Sequence, residues 1–159
     1  MNKVGIIGGS GLDDPNLLQN FEELEIETPY GKPASKITKG TIAGKEVFIL
    51  ARHGKGHTIL PTNVPFRANI WALKELGCTQ IIATTACGYL QEQIAPEDFV
   101  ILDQFIDFTK KREYTFFTDK VVHTPMAEPF DFQLRSKVVQ AADELGYKIH
   151  KKGTVITIE

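Results

Sequence analysis

Gly5-Ile6-Ile7-Gly8-Gly9-Ser10-Gly11-Leu12-Asp13-Asp14 carries the reading from which the fold class follows. With Val4 in front, the apolar residues 4–7 fit a short buried strand. The small residues after it let the backbone approach a ligand while exposing amide donors and the Ser10 hydroxyl. This chemistry suits an oxyanion cradle. It matches neither of the two commonest nucleotide cradles. Counting from Gly9, the third glycine of a dinucleotide fingerprint falls on Asp14, and no Gly-Lys-Ser/Thr follows as a P-loop requires. Free phosphate therefore competes well with a nucleotide cofactor. The plainer reading is a tight strand-to-helix turn in which Asp13 or Asp14 caps the next helix and Pro15 opens it.

Two further strands end in the same manner. Val47-Phe48-Ile49-Leu50-Ala51 is a buried-strand run that delivers Arg52-His53-Gly54-Lys55-Gly56-His57-Thr58 at its carboxyl end. Ligands of open α/β sheets bind at the carboxyl ends of strands, and a planar guanidinium beside an imidazole and glycines suits a tetrahedral oxyanion. A zinc reading of His53 and His57 is set aside, because their spacing matters only on a helix and two glycines lie between them. Gln80-Ile81-Ile82-Ala83-Thr84-Thr85-Ala86-Cys87-Gly88 passes from an apolar run to hydroxyls, small residues and a glycine. These groups suit the completion of a phosphate site or a flat ring lying against backbone. Taken singly, Arg52 reads as a surface ion-pair residue and the histidines as loop residues; three such strand ends together are harder to dismiss.

The rest of the chain supports an α/β fold with a mixed central sheet. Residues 66–76 are amphipathic and close at Gly77, and Lys39-Gly40-Thr41-Ile42-Ala43-Gly44-Lys45 has the pattern of a hairpin. Residues 98–107 are apolar enough for one central strand, residues 131–145 have helical spacing closed by Gly146, and residues 153–159 alternate as a strand. That strand ends at Glu159 with nothing to cover it, which reads as truncation at the carboxyl end. Residues 108–123 mix basic, aromatic and acidic side chains without clean periodicity. Tyr114, Phe116 and Phe117 there would be costly if exposed, which favours a contact, while a plain surface excursion stays open. No repeat, low-complexity segment or linker divides the chain, so residues 1–159 are expected to form one domain.

The composition excludes several classes. A chain of 159 residues with a formal charge of −2 has room for one core and carries no basic patch interleaved with aromatics, which argues against nucleic acid. No segment approaches the roughly 20 apolar residues that span a membrane, and the start lacks the apolar region of a signal sequence. A cytoplasmic location is expected. Cys78 and Cys87 match no zinc spacing and make no disulfide framework, so both are expected to be buried and inert.

Six segments carry a family resemblance: Gly8-Gly9-Ser10-Gly11-Leu12-Asp13-Asp14, Ala51-Arg52-His53-Gly54, Ala68-Asn69-Ile70-Trp71-Ala72-Leu73-Lys74, Thr84-Thr85-Ala86-Cys87-Gly88, Asp103-Gln104-Phe105-Ile106-Asp107 and Pro125-Met126-Ala127-Glu128-Pro129-Phe130. In this order they resemble the S-methyl-5′-thioadenosine phosphorylases, which belong with the trimeric purine nucleoside phosphorylases, and the likeness concerns the amino-terminal part of that family. It implies a three-layer sandwich and phosphorolysis of methylthioadenosine to adenine and 5-methylthioribose 1-phosphate, as in purine and methionine salvage. It implies phosphate held by Ser10, Arg52, His53, Thr85 and Ala86. It places Cys87 and Gly88 beside the purine, and His123 near the 5′ substituent of a neighbouring subunit's ribose in a homotrimer or dimer of trimers. Inorganic phosphate is then a co-substrate, and no metal or organic cofactor is expected. The purine-activating acid and the residues that read the purine 6-position are expected beyond Glu159.

Three readings of function follow. The first is a nucleoside phosphorylase acting on methylthioadenosine, with a 6-oxopurine nucleoside as the alternative substrate. The second is a non-catalytic phosphate-binding or assembly fragment. The third, a dinucleotide-dependent oxidoreductase, is disfavoured by the failed glycine fingerprint.

Overall fold

The computed structural model describes residues 3–9, 11, 12 and 17–159. Ser10 and the expected Asp13 or Asp14 cap with Pro15 lie outside the described residues. The chain divides into two compact units, residues 1–86 with 112–116, and residues 87–111 with 117–159.

In the first unit, β1 (Lys3–Gly8), β2 (Gln19–Leu24), β3 (Ile37–Ile42), β4 (Lys45–Ala51) and β5 (Cys78–Ala83) form one sheet in the order β2-β3-β4-β1-β5. β1 runs parallel to β4 and β5, whereas β3 is antiparallel to β4 and β2 antiparallel to β3. The sheet is mixed, as expected. The β3–β4 hairpin closes through Ala43 (φ 48°) and Gly44 (φ 74°), between the paired residues Ile42 and Lys45. Two left-handed residues in a two-residue loop match the right-handed twist of the strands. β2 was not foreseen. Its residues Gln19-Asn20-Phe21-Glu22-Glu23-Leu24 are almost all exposed on the sheet edge, so no apolar pattern marks it.

The centre of the sheet is β4, buried on both faces as its unbroken apolar run demands. Phe48 and Leu50 join Ile7 and Ile37 on one face, under Ala72 and Leu73 of α1 (Phe66–Glu75). Val47 and Ile49 point to the other face, where Leu18 and Ile6 cover them. This alternation follows from the period of two in a strand. The chain reaches β5 from β4 through α1, and since β1 lies between those two strands, the three parallel strands end side by side. Gly8 pairs with Ala51, and Ile7 with Ala83. Asn69 is buried, and its Oδ1 accepts the Ala34 N–H at 2.8 Å.

Part of the unpatterned segment 108–123 belongs to this unit. Tyr30 meets Trp71 and Phe116 edge to face, with ring centroids 5.6 and 5.5 Å away. The Arg67 guanidinium stacks 5.0 Å from the Tyr30 ring and lies 3.7 Å from Glu113, and Arg112 stacks on Phe66. Phe116 thus finds a contact within the chain, while Tyr114 stays 77% exposed.

In the second unit β6 (Phe99–Val100) pairs in parallel with β8 (Ile149–His150), β7 (Gln104–Asp107) pairs in parallel with β9 (Thr154–Thr157), and α2 is Phe132–Glu144. The expected helix and final strand are present. The expected single strand over 98–107 is not: it is two short strands in two separate pairings. The break has a local cause. The Asp103 N–H donates to Gly153 O and Asp103 Oδ1 accepts the Gly153 N–H, both at 3.1 Å, so residue 103 bonds to the turn between β8 and β9 instead of extending one ladder. α2 is capped by Asp131, whose Oδ1 accepts the Leu134 N–H at 2.7 Å. It closes with Gly146 N–H on Asp143 O and Tyr147 N–H on Ala142 O.

Asp98 anchors the start of β6. Its Oδ2 accepts from the Ala95 N–H at 3.0 Å, His150 Nε2 at 2.8 Å and Lys148 Nζ at 2.9 Å, and the side chain is 6% exposed. The Ala95 amide first, then His150 and Lys148, hold this carboxyl far below the ordinary carboxylate range. A carboxyl lowered by folding stabilises the fold above its ordinary value and loses that contribution as the pH falls toward the folded value. Asp98→Asn is therefore expected to lower Tm by several degrees at pH 7, with the gap between variant and parent closing below about pH 4. Thermal melts across pH check this; a gap independent of pH would show that the carboxylate charge is not what the site uses.

Among the described residues no helix is long and apolar enough to cross a membrane.

Candidate anion-binding site

The side-by-side carboxyl ends of β1, β4 and β5 bring three loops to one place. The parallel ladder continues one step beyond the strands: the Arg52 N–H donates to Gly8 O at 3.1 Å and the Thr84 N–H to Ile7 O at 3.0 Å. Arg52 is therefore launched from β4 directly beside the glycines that follow β1 and the threonines that follow β5. Its Nη1 donates to Thr84 O at 2.6 Å and its Nη2 to Thr85 Oγ1 at 3.3 Å. The Thr85 hydroxyl passes its own hydrogen to Ala86 O at 3.3 Å. A Cβ on residue 9 would lie 3.2 Å from Arg52 Nη2, so Gly9 is the residue that lets the guanidinium lie against the β1 loop.

The loop after Arg52 folds back on itself. His53 O accepts the Ile59 N–H at 2.9 Å, and Gly54 and Gly56 take left-handed φ of 77° and 83°. His57 is left-handed too, at φ 59°, and its ring lies tilted against that of His53 with centroids 4.9 Å apart. Left-handed non-glycine residues are uncommon and gather at ligand-binding loops. His53 Nε2 lies 3.2 Å from Arg52 Nε, and His53 Nδ1 lies 3.0 Å from Ile59 O. Behind the loop the Ala51 N–H donates to Ser35 Oγ at 3.1 Å.

Of the residues singled out from the sequence, Arg52, His53, Thr85 and Ala86 are brought together here, and Ser10 lies outside the described residues. Cys87, Gly88 and His123 fall in the second unit, where all three are exposed. The expectation that both cysteines are buried is corrected for Cys87, which follows the end of β5 into exposed loop. Cys78 is half-buried, and burial pushes its thiol above the ordinary value, in keeping with an inert side chain. Sequence reading missed the carbonyls of Thr84 and Ile59 and the hydroxyl of Ser35. Backbone acceptors have no residue-type signal, and nothing around Ser35 marks it. Among the described residues no group of three or more His, Cys, Asp and Glu is placed to hold a metal ion.

Chemically, the cluster offers a fixed, permanently charged fork with N–H groups to spare beyond its three bonds within the chain, beside a hydroxyl whose hydrogen turns to an anion only by leaving Ala86 O. That is the equipment of an oxyanion site at the carboxyl end of a parallel sheet. The chain belongs to the phosphorylase superfamily, whose sequence profile covers residues 3–159. It is similar to S-methyl-5′-thioadenosine phosphorylase of Xenopus tropicalis, 54% identical over 164 residues that cover 99% of this chain and 58% of that protein. It is similar to the same-named protein of Danio rerio, 52% identical over 163 residues with 99% and 58% coverage. Among solved structures, a mutant of adenosine/methylthioadenosine phosphorylase from Schistosoma mansoni in complex with methylthioadenosine superposes with a TM-score of 0.95 at 44% identity, covering 100% of this chain and 63% of that one. The chain thus spans 58% of the length of the two named relatives.

Proposed function

We propose that the protein to which this chain belongs catalyses phosphorolysis of S-methyl-5′-thioadenosine, releasing adenine and 5-methylthioribose 1-phosphate, and that this chain supplies the phosphate half of the site. The observation that carries the reading is the Arg52 guanidinium held between Thr84 O, Thr85 Oγ1 and His53 at the ends of three strands. The likeness to proteins named for this activity supports the substrate. Inorganic phosphate is the co-substrate, bound in the site that Ser10, Arg52, His53, Thr85 and Ala86 form together, and no metal or organic cofactor enters. Cys87 and Gly88 line the purine, and His123 serves the 5′ substituent in a neighbouring subunit of a homotrimer. The family domain spans both units, and the protein is cytoplasmic.

The chemistry follows from charge. As the glycosidic bond breaks, the ribosyl centre gains positive character, and a phosphate fixed beneath it both attacks that carbon and stabilises the developing charge. The departing purine needs an acid, which on the family resemblance belongs to an aspartate pair beyond the position of Glu159. The test is adenine release from methylthioadenosine by the full-length protein, with hypoxanthine release from inosine beside it. Adenine release strictly dependent on phosphate, faster than hypoxanthine release, is the expected result. Release without phosphate would overturn the phosphorylase reading, and faster hypoxanthine release would move the substrate to 6-oxopurine nucleosides.

A further inference from the structure

Both ring nitrogens of His53 are committed inside the chain, and their partners dictate its protonation. An arginine Nε–H only donates, so the His53 Nε2 that lies 3.2 Å from it must present its lone pair. The proton is then on Nδ1, which donates to Ile59 O at 3.0 Å. The return bond from the Ile59 N–H to His53 O makes the pairing reciprocal, and the His57 ring rests against the imidazole. Arg52 is consequently gripped at all three of its nitrogens: Nε by His53, Nη1 by Thr84 O and Nη2 by Thr85 Oγ1. A planar group held at three corners cannot rotate, which is the preorganisation that an anion site needs.

We propose that the His53 imidazole is a positioning residue, acting as a neutral Nδ1–H tautomer that fixes the plane of Arg52 and makes no hydrogen bond of its own to the anion. The inference rests on Arg52 being the phosphate-holding group. Protonating His53 would set a donor against a donor and a second cation beside the guanidinium. The amide side chains separate the two ring positions: glutamine places an acceptor near the Nε2 position, whereas asparagine reaches only the Nδ1 position.

Two measurements on the chain test it. Long-range 15N NMR of the His53 ring is expected to show the Nδ1–H tautomer without ligand and to show it unchanged when inorganic phosphate is added, while the Arg52 Nε–H resonance shifts. An Nε2–H tautomer in either state overturns the proposal. Phosphate titrations of His53→Gln and His53→Asn, with Tm followed in parallel, supply the second readout. His53→Gln is expected to stay within a few-fold of the parent, and His53→Asn to lose on the order of tenfold. Equal losses at equal Tm, or the reverse order, overturn the positioning role. If the parent binds no phosphate, the phosphate reading fails instead, and the tautomer still decides how His53 meets Arg52.

Discussion

Arg52→Ala is expected to weaken phosphate binding by on the order of 100-fold, the scale on which enzymes lose rate when one preorganised donor to a developing or bound oxyanion is removed. The effect is large because one side chain carries both the charge and the geometry of the site. Arg52 ties the β4 and β5 loops together through Thr84 O and Thr85 Oγ1 and lies close against Gly9 of the β1 loop. Arg52→Lys retains the charge but not the fork, so it should fall between the parent and the alanine variant. Calorimetric titration with inorganic phosphate measures all three proteins, and far-UV circular dichroism confirms that β4 and its neighbours remain folded. Phosphate affinity unchanged in Arg52→Ala would remove the anion site from this strand end, and with it the foundation of the phosphorolysis reading.

The largest loss of stability is expected from Phe48→Ala, about 3–5 kcal/mol. Phe48 is 1% exposed in the middle of β4 and belongs to the cluster of Ile7, Ile37, Leu50, Ala72 and Leu73, so its ring is enclosed by strands on one side and α1 on the other. Backbone pairing of Phe48 with Gly5 and Lys39 holds β4 in place on both edges, which limits how far the structure can collapse into the cavity. A loss of this size is a large share of the 5–15 kcal/mol typical of a whole domain. Urea unfolding should show a lower midpoint with an unchanged slope. A cost below about 1 kcal/mol would mean that the cavity refills, contrary to close packing on both sides of the ring. Because Arg52 follows β4 by one residue, the variant should also bind phosphate more weakly wherever the sheet is partly unfolded.

What could be read in advance, and what could not, has a physical pattern. β1, β4 and β5 were legible from consecutive apolar residues at 4–7, 47–51 and 81–83, a run that β4 needs because both of its faces are buried. α1 and α2 were legible from spacing and from the glycines that close them, Gly77 and Gly146. β2 was not, since an edge strand with most side chains in water needs no apolar residues and carries charges instead. Residues 98–107 misled for the opposite reason. Their apolar character is real, yet Asp98 and Asp103 each bond to residues about 50 positions later, and those bonds divide the run.

The residue types at the three strand ends, arginine, histidine, threonine and glycine, were determined by the sequence alone, because a tetrahedral anion needs a fork, hydroxyls and close backbone. Only the tertiary structure decided which groups meet. It selected the carbonyls of Thr84 and Ile59 from among carbonyls that every residue carries, placed Gly9 against Arg52, and set His53 Nε2 3.2 Å from the Arg52 Nε–H. Hydrogen-bond partners follow from position in space, and position here is set by the parallel register of β1 between β4 and β5, which no single segment of the chain encodes.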